Sequence, residues 1–188
     1  MSRKEINKKC VTWLSELVRN EQKLTTLHYY KKFQFKDIVG EIGDYVLISN
    51  PDSAEPDTED GCDVAKILAL YEDSSNDHPF RAKVQWYTNH DRLPLSCYNQ
   101  AEPINFYSRE VIEDHRSFNT DVSIETFFEK CSIILLFTKD TFFTNIIRNH
   151  NKYAYICRYR ILSVGTSKSY LEPVLEEERK AMQLLCNK

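Results

Sequence analysis

Glycine is scarce in this sequence, four in 188 residues, and no two cysteines stand in a Cys-x-x-Cys pair. The first shortage argues against loop-rich or Gly-repeat architectures. The second removes the short-spaced thiolates that let one turn place two ligands on a zinc tetrahedron. The six cysteines (10, 62, 97, 131, 157 and 186) and five histidines (28, 78, 90, 115 and 150) are scattered along the chain. The reading for the cysteines is buried, reduced thiols, with no metal and no cofactor. No long apolar run is present either. The longest, Ile133-Ile134-Leu135-Leu136-Phe137, is far shorter than the roughly 20 residues that span a bilayer. Lys and Arg punctuate the first nine positions where a signal peptide would need a continuous apolar stretch. A soluble, intracellular protein without membrane contact is expected.

Catalytic signatures are missing too. There is no G-x-S-x-G elbow, no G-x-x-x-x-G-K-[ST] phosphate loop and no H-E-x-x-H helix. The expectation is a binding protein, not an enzyme. Internal repeats and low-complexity tracts are absent as well, and the length fits one domain with short tails.

What the sequence does have is apolar and aromatic matter. Hydrophobic residues make up 41% and aromatics 12%, with eleven Tyr and ten Phe, which supports a real core and favours strands. The formal net charge is −3, so a nucleic-acid contact would need a local basic patch.

Along the chain, Ile6, Cys10, Trp13 and Leu17 fit one helix face, yet Cys10-Val11-Thr12-Trp13 equally begins a strand. Strands are expected at 28–35, 44–49, 64–71, 81–88, 131–137 and 153–164, with a turn bracketed by Gly40 and Gly43. The stretch from Asn50 to Asp63 holds six carboxylates, two prolines and a glycine, and reads as an exposed acidic loop. Thr138 can cap a helix carrying Phe142, Phe143, Ile146 and Ile147, and Pro173 suits the first position of a C-terminal helix through Leu185. The expected organisation is an N-terminal extension (1–25), a core (26–165) and a C-terminal helical extension (166–188). The fold class is mostly β, a barrel or sandwich with short helical additions.

Three blocks point further: SNPDSAEPDTEDGCDVAKILALYED, FRAKVQWYTN and FYSREVIEDHRSFNTDVSIETFFEKC. In this order they resemble the BAH (bromo-adjacent homology) domain of the largest subunit of the origin recognition complex, in its insect-like form. The resemblance runs from about Thr12 to about Val164. It implies a distorted β-barrel with helical decorations and a nuclear role as a nucleosome and histone-tail reader supporting DNA replication. The family protein continues into a linker and an ATPase module, so an N-terminal fragment or a stand-alone duplicate is expected. Vertebrate members take a dimethylated lysine of the histone H4 tail into an aromatic cage. A methylated ammonium keeps its charge but sheds hydration, so aromatic faces replace water well.

On this chain the cage tryptophan of the V-Q-W block falls on Trp86. An aromatic position before V-A-K falls on Asp63, and the acid before L/I-P falls on Arg92 with Asp91 adjacent. A further aromatic matches Phe106 or Tyr107. A wall of the cage is therefore missing, which puts methyl-lysine selectivity in question. Histone-tail contact is expected at Trp86, Tyr107, Phe106, Asp63 and Asp91. A second, basic region, Lys139, Arg148, His150, Lys152, Arg158 and Arg160, would face nucleosomal DNA through phosphates. Other origin recognition complex subunits are further expected partners. The alternative is a protein-interaction platform that recruits a heterochromatin or silencing partner and reads no methyl-lysine.

Overall fold

The computed structural model describes residues 11–17, 19–20, 27–97, 104–115, 120–136, 153–164 and 168–174. The open choice at the N-terminus resolves to a strand. β1 (Val11–Trp13) pairs antiparallel with β4 (Lys32–Phe35), which turns into β5 (Ile38–Glu41). Period-two burial drives this small sheet: Phe33, Phe35 and Ile38 point inward while Gln34 and Val39 face water. Lys36 takes a positive φ of 52° in the tight turn between β4 and β5.

Gly40 and Gly43 do not bracket a turn as expected. Gly43, with φ 97°, makes the turn, whereas Gly40 lies within β5 opposite Phe33. A Cβ on Gly40 would stand 2.6 Å from Phe33 Cε1, so the glycine is there to admit the ring.

The remaining strands form one large sheet. They are β2 (Arg19–Asn20), β3 (Leu27–Tyr30), β6 (Tyr45–Ser49), β7 (Cys62–Asp73), β8 (Phe80–Asn89), β9 (Val111–Asp114) and β10 (Asp121–Ser123). They continue with β11 (Phe127–Leu135), β12 (Ala154–Cys157), β13 (Tyr159–Val164) and β14 (Lys168–Pro173). The strand order is β12-β11-β6-β7-β8-β9-β13-β14, with β10 on β8 and β3 bridging β7 and β2. The β11–β12 and β9–β13 pairs are parallel and the rest antiparallel. The architecture is mostly β, as expected.

Alternation along β6, β7 and β8 gives the sheet two apolar faces. Val46, Ile48, Ala65, Ile67 and Val84 pack on one side with Phe33, Phe35 and Phe127 from the small sheet and β11. Leu47, Val64 and Tyr87 pack on the other with Cys131, Tyr155 and Cys157.

The sheet curls so that its β12 side returns to β9. One isolated parallel bridge, Glu110 to Ile156, joins them, and Ile156 N donates to Arg109 O at 2.9 Å. Only that single bridge, not a ladder, joins them among the described residues, so the expected barrel is not closed. Beside it the Arg158 guanidinium is buried. Its Nε donates to Glu110 Oε1 and its Nη2 to Glu110 Oε2, both at 2.8 Å, and Nη2 also donates to Asn105 O at 2.7 Å. Arg158 Cζ lies 4.7 Å from the Tyr107 ring centre.

Several expected elements shift. The 28–35 strand splits at Lys31 into β3 and β4, which belong to different sheets, and the 153–164 strand splits at Arg158 into β12 and β13. The 131–137 strand starts earlier, at Phe127, and lies one place in from an edge. Pro173 ends β14 opposite Tyr159, and Val174, the last described residue, is helical. The helix expected after Thr138 and the C-terminal helix beyond Val174 lie outside the described residues.

Candidate functional site

Strand register builds a groove around Trp86. Ala65 pairs with Trp86, and Ile48 pairs with Asp63 two residues before Ala65. Ile48, Asp63, Ala65, Trp86 and Thr88 therefore share one face of β6–β8, and Asp63 stands diagonal to the indole. Trp86 is half-buried: it packs against the core beneath and leaves the rest of its surface to the groove. The groove has a volume of about 780 Å³ and is also bordered by Asp52, Arg81, Arg92 and Asp121. That volume suits a side chain with its flanking backbone.

The charged lining is organised in pairs. Asp63 Oδ1 accepts from Arg92 Nη1 at 2.6 Å, and Asp63 Oδ2 accepts from Asn50 Nδ2 at 3.0 Å. Further along β8, Arg81 Nε donates to Asp121 Oδ1 at 2.9 Å and Arg81 Nη2 to Asp121 O at 3.1 Å. Burial, then a hydrogen bond with Asp121, pushes the Tyr71 hydroxyl well above its ordinary pKa, so it stays protonated.

The acidic loop lines the groove with its two ends, residues 50–52 and Asp63, and is held by hydrogen bonds of its own. Ser49 Oγ donates to Pro56 O at 2.8 Å. Glu59 is pinned by Tyr155 OH and by Arg109 Nη2, both at 3.2 Å from Oε1. Of the six loop carboxylates, Asp52, Glu55, Asp57 and Asp60 have no ion-pair partner among the described residues. The rim is a surface of uncompensated negative charge.

The other expected tail-binding residues do not join the groove. Phe106 stacks on His90, with ring centres 5.1 Å apart and nearly parallel, and packs in a separate cluster with Leu93 and Ile161. Tyr107 lies under Arg158 against Leu136 and Ile156. Asp91 is exposed on a 3-10 turn, His90–Arg92, outside the lining, and its neighbour Arg92 enters the groove instead.

The expected basic patch is also revised. Arg158 is only 5% exposed and paired with Glu110, so burial withdraws it from any phosphate. Arg160 is half-buried, in register with Glu113 and Glu172, and its Nη2 donates to Val174 O at 3.2 Å. Its flanking carboxylates offset its charge. Lys139, Arg148, His150 and Lys152 lie outside the described residues.

Sequence reasoning missed Arg81, Asp121 and Asp52 as lining. The signal was weak, because β10 is only three residues long and its pairing with β8 spans a gap of about forty positions. Among the described residues, no group of three or more His, Cys, Asp or Glu side chains is placed to hold a metal ion.

Over 150 residues, 75% of this chain, the sequence is 37% identical to origin recognition complex subunit 1 of Drosophila melanogaster. The chain spans 16% of that relative's length. Among solved structures, the yeast Rsc2 BAH domain is similar with a TM-score of 0.46 at 15% identity, covering 70% of this chain and 50% of that one. The BAH domain family profile matches residues 38–169. Matched over more than half its length by this profile, and by a relative of that kind, the chain belongs to the BAH domain family.

Proposed function

We propose that this BAH domain is the chromatin-docking module of an origin recognition complex subunit, acting in the nucleus to hold the complex on nucleosomes for replication initiation. The Trp86 groove is the seat for a basic histone tail, in the first place that of H4. One observation carries this reading. A half-open indole lies in a groove lined by Asp52, Asp63 and Asp121, and the loop that supplies the first two, residues 50–63, holds six carboxylates and no Lys or Arg. An indole face attracts a cation, and a negative rim steers basic segments toward it.

Titration of nucleosomes and of H4 tail peptides, unmodified and mono-, di- and trimethylated, tests it. Saturable binding that is lost in Trp86→Ala, with an unchanged melting temperature, is the expected result. Binding that ignores Trp86 removes the groove from the account.

A second reading, a platform recruiting a heterochromatin or silencing protein, is favoured by a different surface. Leu95 is 83% exposed on a turn that Ser96 ties to β14, where Tyr170 is 42% exposed. If that surface is the site, capture of a protein partner is lost in Leu95→Asp and retained in Trp86→Ala.

A further inference from the structure

We infer that Asp52 is the residue that meets the charge of the basic side chain entering the groove, while Asp63 and Asp121 hold the groove itself together. This rests on the reading above that a basic tail enters the groove.

Three carboxylates line the groove, and two of them already face a cation of the protein. Asp121 Oδ1 accepts from Arg81 Nε at 2.9 Å, and the Arg81 side chain is only 17% exposed. Asp63 Oδ1 accepts from Arg92 Nη1 at 2.6 Å, and its Oδ2 accepts from Asn50 Nδ2 at 3.0 Å. A ligand cation meets both of these carboxylates with their charge offset. Taking either one over would leave an arginine without its partner. Asp52 differs. Among the described residues no ion pair and no hydrogen bond reaches its carboxylate, so that charge is left for a ligand.

The loop fixes Asp52 through its backbone. Asp52 N donates to Asn50 Oδ1 at 2.9 Å, and Ser53 N donates to Asn50 O at 3.0 Å. Asn50 is itself anchored twice, because its N donates to Gly61 O at 3.2 Å and its Nδ2 bonds Asp63 on β7. Asp63 therefore acts on the ligand only through Asn50 and the turn that presents Asp52. A carboxylate whose backbone is set in advance loses less freedom when a ligand arrives. A charge-assisted bond to an unpaired carboxylate is a strong one, whereas exposure weakens it. For an exposed residue at a groove wall, the balance is a contribution of about five- to tenfold in affinity.

The experiment uses the full chain and unmodified H4 tail peptides in which each lysine or arginine is replaced by alanine in turn. Affinities are read by fluorescence anisotropy at about 0.15 M salt, where charges more than about 8 Å apart are screened. Asp52→Asn should weaken binding of the intact peptide about five- to tenfold. The loss should vanish for the one peptide that lacks the partnered cation, which is the mark of a direct pair in a double-mutant cycle. Asp52→Glu, which keeps the charge, should recover part of the affinity. Asp60→Asn, in the same loop but outside the groove lining, should change affinity by less than about twofold. Asp63→Asn, which keeps an acceptor for Asn50, should show no coupling to any single peptide cation.

The inference is overturned if Asp52→Asn, with an unchanged melting temperature, behaves like Asp60→Asn. It is also overturned if the coupling to one peptide cation appears at Asp63 instead. When Trp86→Ala abolishes tail binding and Asp52→Asn is silent, this inference alone fails. When tail binding survives Trp86→Ala, the seat itself is wrong and the assignment of Asp52 goes with it.

Discussion

Arg158 and Glu110 exchange two hydrogen bonds of 2.8 Å in the interior, at the place where the curled sheet meets itself through the Glu110–Ile156 bridge. The same glutamate accepts Tyr107 N at 3.0 Å, and Val174 N donates to Arg158 O at 2.9 Å. One ion pair thus ties the 104–110 segment, β12 and the end of β14 into a single seam. A residue that sequence alone places on a basic DNA-facing surface is a structural closure.

Breaking the pair from one side should be costly. Glu110→Gln leaves a buried guanidinium without its counter-charge, and a loss of about 3–5 kcal/mol is expected. Urea denaturation of the variant measures it. Combined with Arg158→Met, which removes the stranded charge, part of the loss should return. Equal stability of wild type and Glu110→Gln would show that the seam closes without the pair.

Gly40 gives a steric test. Its absent Cβ would lie 2.6 and 2.8 Å from Phe33 Cε1 and Cζ, and Phe33 is fully buried with its ring edge-on to Phe127 at 5.6 Å. The ring has no room to retreat. Gly40→Ala should therefore lower stability by about 1–3 kcal/mol through overpacking, and Phe33→Leu in the same chain should recover part of it. The readout is thermal melting. If Gly40→Ala melts with the wild type, the ring is not held where the structure puts it.

The strands that sequence reads well are those whose neighbours leave a period-two trace. β6, β7 and β8 are legible within a few residues, because one face must bury Val46, Ala65 and Val84 and the other Leu47, Val64 and Tyr87. The breaks at Lys31 and Arg158 are illegible, since a change of sheet partner inside an aromatic run is decided by residues far away in sequence. For the site, Trp86 and Asp63 are named in the sequence by the family blocks, and it is the β7–β8 register that puts them on one face. Phe106 and Tyr107 sit in an irregular segment with no period to say which way a ring turns. Arg92 reaches a partner 29 positions earlier and Arg158 one 48 positions earlier, and neither distance leaves a local mark.

Buried thiols make stability fall in alkali. Burial pushes Cys131 and Cys157 up to about 12 from an ordinary value of 9.0, and Cys62 up to about 11. In Cys131 the nearby charge of Glu59 adds to the shift. Folded, these groups hold their protons after the unfolded chain has begun to lose them. Their contribution is therefore complete below pH 9 and drains away as pH rises from 9 toward 12. The slope is about 1.4 kcal/mol per pH unit for each fully buried thiol. Buried Tyr87 and Tyr155 shift in the same direction and steepen the fall. Denaturation at pH 8, 9.5 and 11 under reducing conditions should show a progressive decline. Flat stability across that range would mean that the thiols are open to water in solution.

The acidic rim makes a kinetic prediction separate from the groove's contacts. The Glu55 and Asp60 carboxylates accept no hydrogen bond and have no ion-pair partner among the described residues, so their charges hold nothing in the fold. Replacing them together, Glu55→Gln and Asp60→Asn, should leave the melting temperature within a degree or two, as surface changes away from structural contacts do. Association with a basic tail peptide is a different matter. At low ionic strength the on-rate should drop about tenfold, because steering by a one-sign rim is lost, while dissociation from Trp86 changes little. Raising salt should bring wild type and variant together, since exposed charges are screened beyond about 8 Å at physiological ionic strength. Stopped-flow kinetics across a salt series reads both effects. If the two proteins associate at the same rate in low salt, the tail approaches another face of the domain.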